Sequence, residues 1–352
     1  MALIFHSSAN PVAAGHVLGE SLVGEPWNGA RPAWPLQPLR APLLSAGSTP
    51  WHEAWLVDSP PLSGESEGIR WRRQGDQLFG VIEIDEGPDV GLQAASEAAY
   101  ARLFRLLDAQ GLPHLWRLWN YMADINRDQQ GLERYRQFNL GRAQAFEGAS
   151  RCVVGRVPAA CALGVRSGPL SVAFLAGSTP AVPVENPRQV SAFLYPGEYG
   201  PRSPTFSRAA LVYPLGQELL FISGTASIVG HQSVHLGDVA AQTRESLDNI
   251  EAVLAEVRRL SPRGAFALAD LSYRVYIRHA ADLGAVRAEM AGRVASADTL
   301  YLQADVCRSE LLVEASRREA ERARREAERL RVQAQIQAEE TERLRLAAEA
   351  EA

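Results

Sequence analysis

From Ala304 to Ala315 the chain reads Ala-Asp-Val-Cys-Arg-Ser-Glu-Leu-Leu-Val-Glu-Ala, which sets a thiol, a guanidinium and carboxyl groups against a short apolar run. Taken as a strand from Glu310 to Ala315, alternation puts Glu310, Leu312 and Glu314 on one face and turns Leu311 and Val313 into the core. A carboxyl beside apolar strand residues is desolvated, which raises its pKa and suits it to donate a proton near neutral pH. The plainer alternative is a solvated Glu at the start of a charged tail, and position alone favours it.

Three other groupings could do chemistry. Asn186 to Arg208 holds three Arg, two Tyr and four Pro in 23 positions. Proline stiffens such a loop, and Arg with Tyr on a preset loop suits a small carboxylate bearing hydroxyls; a structural loop with surface Arg fits the composition equally well. Ser223-Gly224-Thr225-Ala226-Ser227 follows an apolar strand and reads either as a close backbone approach to a ligand or as a tight turn. His231 and His235 have the spacing of two ligands on a helix, but Gly230 and Gly237 beside them argue against a helix, and we read them as structural. No Ser–His–Asp arrangement or dinucleotide fingerprint is legible.

Composition narrows the chemistry further. The 352 residues carry a formal net charge of -5, the wrong sign for general nucleic-acid binding. No lysine occurs, which excludes a Schiff-base lysine, covalent pyridoxal phosphate and a P-loop lysine. Anionic substrates fall to arginine, whose fork grips carboxylates bidentately. Cys152, Cys161 and Cys307 are too few and scattered for a disulfide framework or a four-thiolate metal site. Neither a signal peptide nor a membrane-length apolar run is apparent, so the expected location is the cytoplasm, without membrane partners.

The elements that must position these groups follow from periodicity. Residues 1–65, rich in Pro, Gly, Ser and Trp, form either strand-and-loop packing on the body or a partly ordered arm; we take the former. A strand at Gly80–Asp85, a helix at Leu92–Gln110, a strand at Leu115–Met122, a helix at Leu132–Phe138 and a strand at Arg151–Val157 come next. The second half repeats that order with a strand at Leu219–Gly224, a helix at Asp238–Arg259, a strand at Ala267–Ile277, a helix at Leu283–Met290 and a closing strand at Glu310–Ala315. The class is therefore α/β (α+β) with an internal duplication, divided as 66–155 and 156–315. Residues 316–352 alternate Arg, Glu and Ala and predict a charged helical tail: a solvated single helix, or an oligomerising stalk with a poor Ala/Thr seam.

Arg117-Leu118-Trp119-Asn120-Tyr121, Ile125-Asn126 and Tyr135 to Arg142 resemble the chorismatase family, as do the Tyr195–Arg208 loop, Ser223 to His231, and Cys307-Arg308 leading to Leu312-Val313-Glu314. The resemblance runs in order from about residue 70 to 315. It implies two RidA/YjgF-like domains, the first degenerate and the second catalytic, and an enzyme that cleaves chorismate to pyruvate without metal or other cofactor. It also implies Glu314 as proton donor, with Arg202, Arg208 and Arg142 as carboxylate-binding candidates and Tyr195 and Tyr199 as positioning groups, beside Gly224, Thr225 and Ala226. Aromatising members are similar in having Gly at the position of Gly224, where diol-forming ones have Ala, and Cys at that of Cys307, to orient the ring or assist proton loss. The implied product is mainly 3-hydroxybenzoate, alone or with 4-hydroxybenzoate. The alternatives are the hydrolytic outcome, 3,4-dihydroxycyclohexa-1,5-dienoate, and a RidA-like small-ligand or imine-deaminase module. Monomer and homo-oligomer both stay open.

Overall fold

The computed structural model describes residues 3–12, 16–24, 31–45, 50–261, 266–294 and 299–319. Four strands near the N-terminus, β1 (Leu3–Ser8), β2 (Val17–Val23), β3 (Leu36–Leu39) and β4 (Trp51–Val57), form one sheet in the order β1-β4-β2-β3. The N-terminal segment is thus packed structure rather than an arm, held by Trp55, Leu18 and Leu39 in a shared core.

The first half comprises β5 (Leu62–Ser66), β6 (Ile69–Gln74), β7 (Gln77–Ile84), α1 (Gly87–Gln110), β8 (His114–Ala123), a small hairpin of β9 (Asp128–Gln129) and β10 (Leu132–Glu133), α2 (Arg134–Gly148), β11 (Ala159–Val165) and β12 (Leu170–Gly177). Its sheet runs β11-β8-β12-β7-β6-β5, with β8 and β11 parallel. The second half comprises β13 (Val182–Val184), β14 (Ala209–Val212), β15 (Leu219–Ile222), β16 (Thr225–Ala226), a hairpin of β17 (Ile228–Val229) and β18 (Gln232–Ser233), α3 (Val239–Leu260), β19 (Ser272–Ile277), α4 (Leu283–Arg293), β20 (Thr299–Gln303) and β21 (Val313–Glu319). Here the sheets run β16-β21-β19-β20 and β13-β14-β15, with β19 and β20 parallel. The duplication read from element order is therefore a duplication of strand pairing.

Because β11 and β12 pair with β8 and β7, the first sheet runs across residue 155, and strand pairing divides the halves between Gly177 and Val182. The strand expected at Arg151–Val157 is irregular chain: Gly155 has φ +76° and Pro158 follows, so pairing begins only at Ala159. The second helix is longer than its apolar spacing suggested, because Gly141 lets α2 lie against α1. A Cβ there would stand 1.9 Å from the Gln93 carbonyl oxygen.

Each sheet is covered on one face by its own helices. α1 and α2 bury Leu103, Phe104, Leu107, Phe138 and Phe146 against Leu118, Val172 and Phe174 of the first sheet. α3, capped by the Asp238 carboxylate accepting from the Ala241 N–H at 2.9 Å, packs Leu247, Ile250, Val253 and Val257 against Tyr273, Val275, Val313 and Ala315. The other faces meet in a central core where Trp119, Tyr121 and Cys161 pack with Tyr276, Leu302 and the N-terminal strands. A side chain opposite Val313 on β21 therefore points between the two halves and away from water.

The closing strand begins at Val313, later than alternation suggested, and continues through Glu319 into the expected tail; Glu310 lies in the turn before it. The helical tail expected at 316–352 is thus corrected at its start, and its part from 320 onward lies outside the described residues. Among the described residues no helix is long and apolar enough to cross a membrane.

Candidate active site

Glu314 is flanked on both sides in the sheet: Tyr276 of β19 is its partner on one side and Ala226 of β16 on the other. It is 3% exposed, and its Oε1 has no hydrogen-bond partner among the described residues. Burial pushes its pKa up to about 8, against the opposing pull of the Arg117 guanidinium. Glu314 is therefore a neutral acid at pH 7, the state in which a carboxyl can donate a proton.

This carboxyl lies at a cavity of about 340 Å³. Gly224, Ala226 and Ile228 line one wall, Tyr195, Tyr199, Phe206 and Arg208 another, and Cys307, Arg308 and Glu310 a third, while Glu133, Tyr135 and Arg136 come from the first half. The proline-rich loop is braced by hydrogen bonds within itself. Arg208 donates from Nη2 to the Val190 carbonyl at 2.9 Å and to the Tyr195 hydroxyl at 2.7 Å. Tyr195 and Tyr199 rings lie 5.4 Å apart, and Arg308 stands over the Tyr199 ring at 3.9 Å and the Tyr195 ring at 5.1 Å. Arg308 also donates to the His231 carbonyl at 2.9 Å, and its Nη2 is buried with no hydrogen-bond partner among the described residues.

Seven of the ten residues singled out from sequence line this cavity: Glu314, Cys307, Tyr195, Tyr199, Arg208, Gly224 and Ala226. Three do not. Arg202 is half exposed and pairs with Glu147 of α2 at 3.0 Å, so its charge is spent outside the cavity. Arg142 is fully buried in α2, donating to the Asn139 Oδ1 at 3.0 Å and lying 4.9 Å from the Phe138 ring centre, with Tyr135 rather than Arg142 at the cavity surface. Thr225 points to the opposite face from Gly224 and Ala226, its hydroxyl donating to the Ser223 carbonyl at 3.0 Å. His231 and His235 are structural in setting: His231 Nδ1 is 3.2 Å from the Tyr199 hydroxyl, and His235 Nε2 is 3.5 Å from Glu245.

Sequence reasoning passed over Arg308 and Arg117, although both stand in blocks that carried the family resemblance. Arg308 could have been found from its place beside Cys307. Arg117 is wholly buried on β8; it donates to the Ile222 carbonyl at 3.2 Å, while its Nε and Nη2 have no hydrogen-bond partner among the described residues. Nothing local marks such an arginine, since an apolar strand with one basic residue also reads as an edge strand.

Burial and the neighbouring Glu314 together push the Cys307 thiol up to about 12. Cys307 is thus a neutral thiol, fit to pack or donate weakly and unfit as a base near neutral pH. The two halves also differ in a telling way. Tyr276 pairs with Glu314, whereas Tyr121, whose hydroxyl is 2.6 Å from that of Tyr276, pairs in the corresponding strand with Ser171. The Ser171 hydroxyl accepts from Gln37 of β3 at 3.2 Å. Only the second half thus presents a carboxyl at this position.

Residues 53–176 match the family model described as "Chorismatase FkbO/Hyg5-like, N-terminal". A chorismatase from Streptomyces rapamycinicus is 42% identical over 271 residues, 74% of this chain and 80% of the relative. This chain belongs to the chorismatase family. A 3-hydroxybenzoate synthase from Streptomyces hygroscopicus is 39% identical over 289 residues, 78% of this chain and 83% of the relative. Among solved structures, a chorismatase crystal structure superimposes with a TM-score of 0.81 at 34% identity, covering 91% of this chain and 98% of that one. The similarity extends across both halves, so the cavity between them lies within the shared architecture.

Proposed function

We propose that this chain is a cofactor-independent enzyme that cleaves chorismate to pyruvate and a hydroxybenzoate, mainly 3-hydroxybenzoate, alone or with 4-hydroxybenzoate. The observation that carries the reading is Glu314, a buried acid held neutral at pH 7 at a cavity lined by arginines.

Chorismate is a dianion bearing an enolpyruvyl ether and a neighbouring ring hydroxyl. Glu314 gives its proton to the terminal methylene carbon of the ether, and the ether carbon becomes oxocarbenium-like. The carboxylate left on Glu314 faces that positive charge in a water-poor site, where the attraction is worth far more than in water. Water adding to this carbon loses a proton and gives a hemiketal, whose ether bond breaks to release pyruvate and the diol acid. The ring hydroxyl adding there loses its proton instead to give a cyclic ketal. Pyruvate leaves from that ketal with one ring oxygen, as that ring C–O bond and the other ketal C–O bond break and the ring loses a proton to become aromatic. Cleavage to a hydroxybenzoate and pyruvate consumes no water overall, whereas the diol outcome consumes one.

Arg208 and Arg308 are the carboxylate clamps in this reading: both line the cavity, both are braced by Tyr195, and each retains a buried nitrogen without a protein hydrogen-bond partner among the described residues. They replace Arg202 and Arg142 in that role. Tyr195 and Tyr199 present ring faces and hydroxyls beside the clamps, and Cys307 orients the ring as a neutral thiol. A cytoplasmic setting accords with free Cys152, Cys161 and Cys307.

The test is incubation of the purified protein with chorismate, with pyruvate and ring products separated and measured. Pyruvate with 3-hydroxybenzoate in excess is the expected result. Pyruvate with the diol acid alone overturns the product assignment, and no pyruvate overturns the reading as a whole.

A further inference from the structure

One arginine outside the cavity is engaged in a way that the cleavage chemistry does not use. Arg278 follows β19, and its guanidinium, 11% exposed, is shared among five acceptors on two sides. Nε donates to the Leu311 carbonyl at 2.9 Å, and Nη2 donates to the carbonyls of Val306 at 3.2 Å and Arg308 at 2.9 Å. Nη1 pairs with the Asp305 carboxylate at 2.6 Å. Nη2 also reaches Asn126 Oδ1 in the first half at 3.1 Å, and Asn126 in turn donates to Glu133, which lines the cavity, at 3.1 Å.

The segment gripped in this way, residues 305–311, is the one that carries Cys307 and Arg308 into the cavity. It is not part of a strand, and among the described residues its backbone hydrogen bonds to the first half are those between Gly164 and Asp305, at 2.7 and 3.0 Å. A planar fork with donors in fixed directions can serve this many acceptors at once, whereas an ammonium at the same place cannot.

We infer that Arg278 is a positioning residue that sets the product partition, by fixing the Cys307–Arg308 segment of the second half against the Asn126–Glu133 rim of the first. This rests on the chorismate-cleaving reading above. Arg278 does not line the cavity, and Glu314 is held by its own strand pairs, so proton delivery and partition are separable. Loosening the segment lets the thiol drift from the ring and admits water to the cationic carbon, which favours the diol acid.

The experiment measures pyruvate, hydroxybenzoate and diol acid from chorismate for the wild-type enzyme, Arg278→Lys and Asp305→Asn, together with the pH dependence of pyruvate release. Arg278→Lys is expected to raise the diol-to-hydroxybenzoate ratio about tenfold, as loss of charge-assisted hydrogen bonds implies, and to leave the alkaline limb of pyruvate release in place. Asp305→Asn moves the ratio in the same direction by less, and it reads the inference even where the lysine variant fails to fold. An unchanged ratio in folded variants, with or without a slower overall rate, overturns it and leaves Arg278 merely structural. A wild-type enzyme that releases no pyruvate sinks the chorismate-cleaving reading and this inference together; cleavage with an unmoved ratio sinks this inference alone.

Discussion

A Cβ atom at Gly224 would stand 2.0 Å from Oε1 of Glu314 and 2.5 Å from its Cδ. The acid's carboxyl occupies the space that any side chain at 224 would need. The room beside this glycine is taken by the proton donor. Gly224→Ala obliges the carboxyl, the far end of a flexible side chain, to shift from its present place, and the rate should fall modestly, by about tenfold or less. We expect slower pyruvate release, with the remaining product shifted toward the diol acid. Steady-state assay with product separation decides it, and an unchanged rate would show that the carboxyl does not need this space.

The pH dependence follows from the same burial. Protonated Glu314 is the active form, so the rate should hold below its pKa of about 8 and fall above it. Arg117 opposes the upward shift, so Arg117→Met should move the alkaline limb to higher pH. A folded pKa raised above the ordinary carboxyl value of 4.5 means that the native state keeps a proton the unfolded state gives up. The associated stability is fully present below 4.5 and is lost as pH rises through 8. Thermal melts of Glu314→Gln and wild type at pH 5 and pH 9 should therefore show a smaller drop for the variant.

Cys307 offers a chemical check. A thiol pushed up to about 12 stays protonated in ordinary buffers and alkylates slowly, whereas Cys152 is exposed. Mass mapping after brief iodoacetamide treatment at pH 8 should find Cys152 modified well before Cys307. Cys307→Ser should keep pyruvate release and alter the aromatic-to-diol ratio; loss of pyruvate release with the fold intact would move Cys307 into the cleavage step itself.

Among the arginines, position separates contributors from bystanders. Arg208→Ala or Arg308→Ala removes a charge-assisted grip of about 1.5–3 kcal/mol, and kcat/KM should fall by roughly ten- to a hundredfold. Arg202→Ala loses only an exposed pair with Glu147 and should leave kcat/KM within about twofold. A large effect at Arg202 would place the substrate carboxylate outside the cavity described.

Periodicity made the order of strands and helices legible, because α1 and α3 each bury one side and end at clear stops. It missed β12, where Leu170 to Gly177 is buried on both faces and shows no alternation. It also split the halves too early, since nothing in the sequence near residue 155 says that the next two strands return to the first sheet. Glu314, Cys307 and the tyrosine loop were legible through the family blocks. Arg202 and Arg208 look alike in sequence, and only the neighbouring Glu147 on α2 tells them apart. Arg117 and Arg278 act through partners more than a hundred residues away, Ile222 and Asn126, and such pairings leave no local pattern.

The most direct test of Glu314 as the proton donor is pyruvate release from chorismate at pH 7 by wild type and Glu314→Gln, at equal concentrations of folded protein. Glutamine keeps the shape and the burial but has no acid proton, and removing general-acid catalysis costs on the order of a hundred- to ten-thousandfold. Release should fall by that factor while the melting temperature holds or rises. Pyruvate release from the variant at the wild-type rate would contradict the role assigned to Glu314.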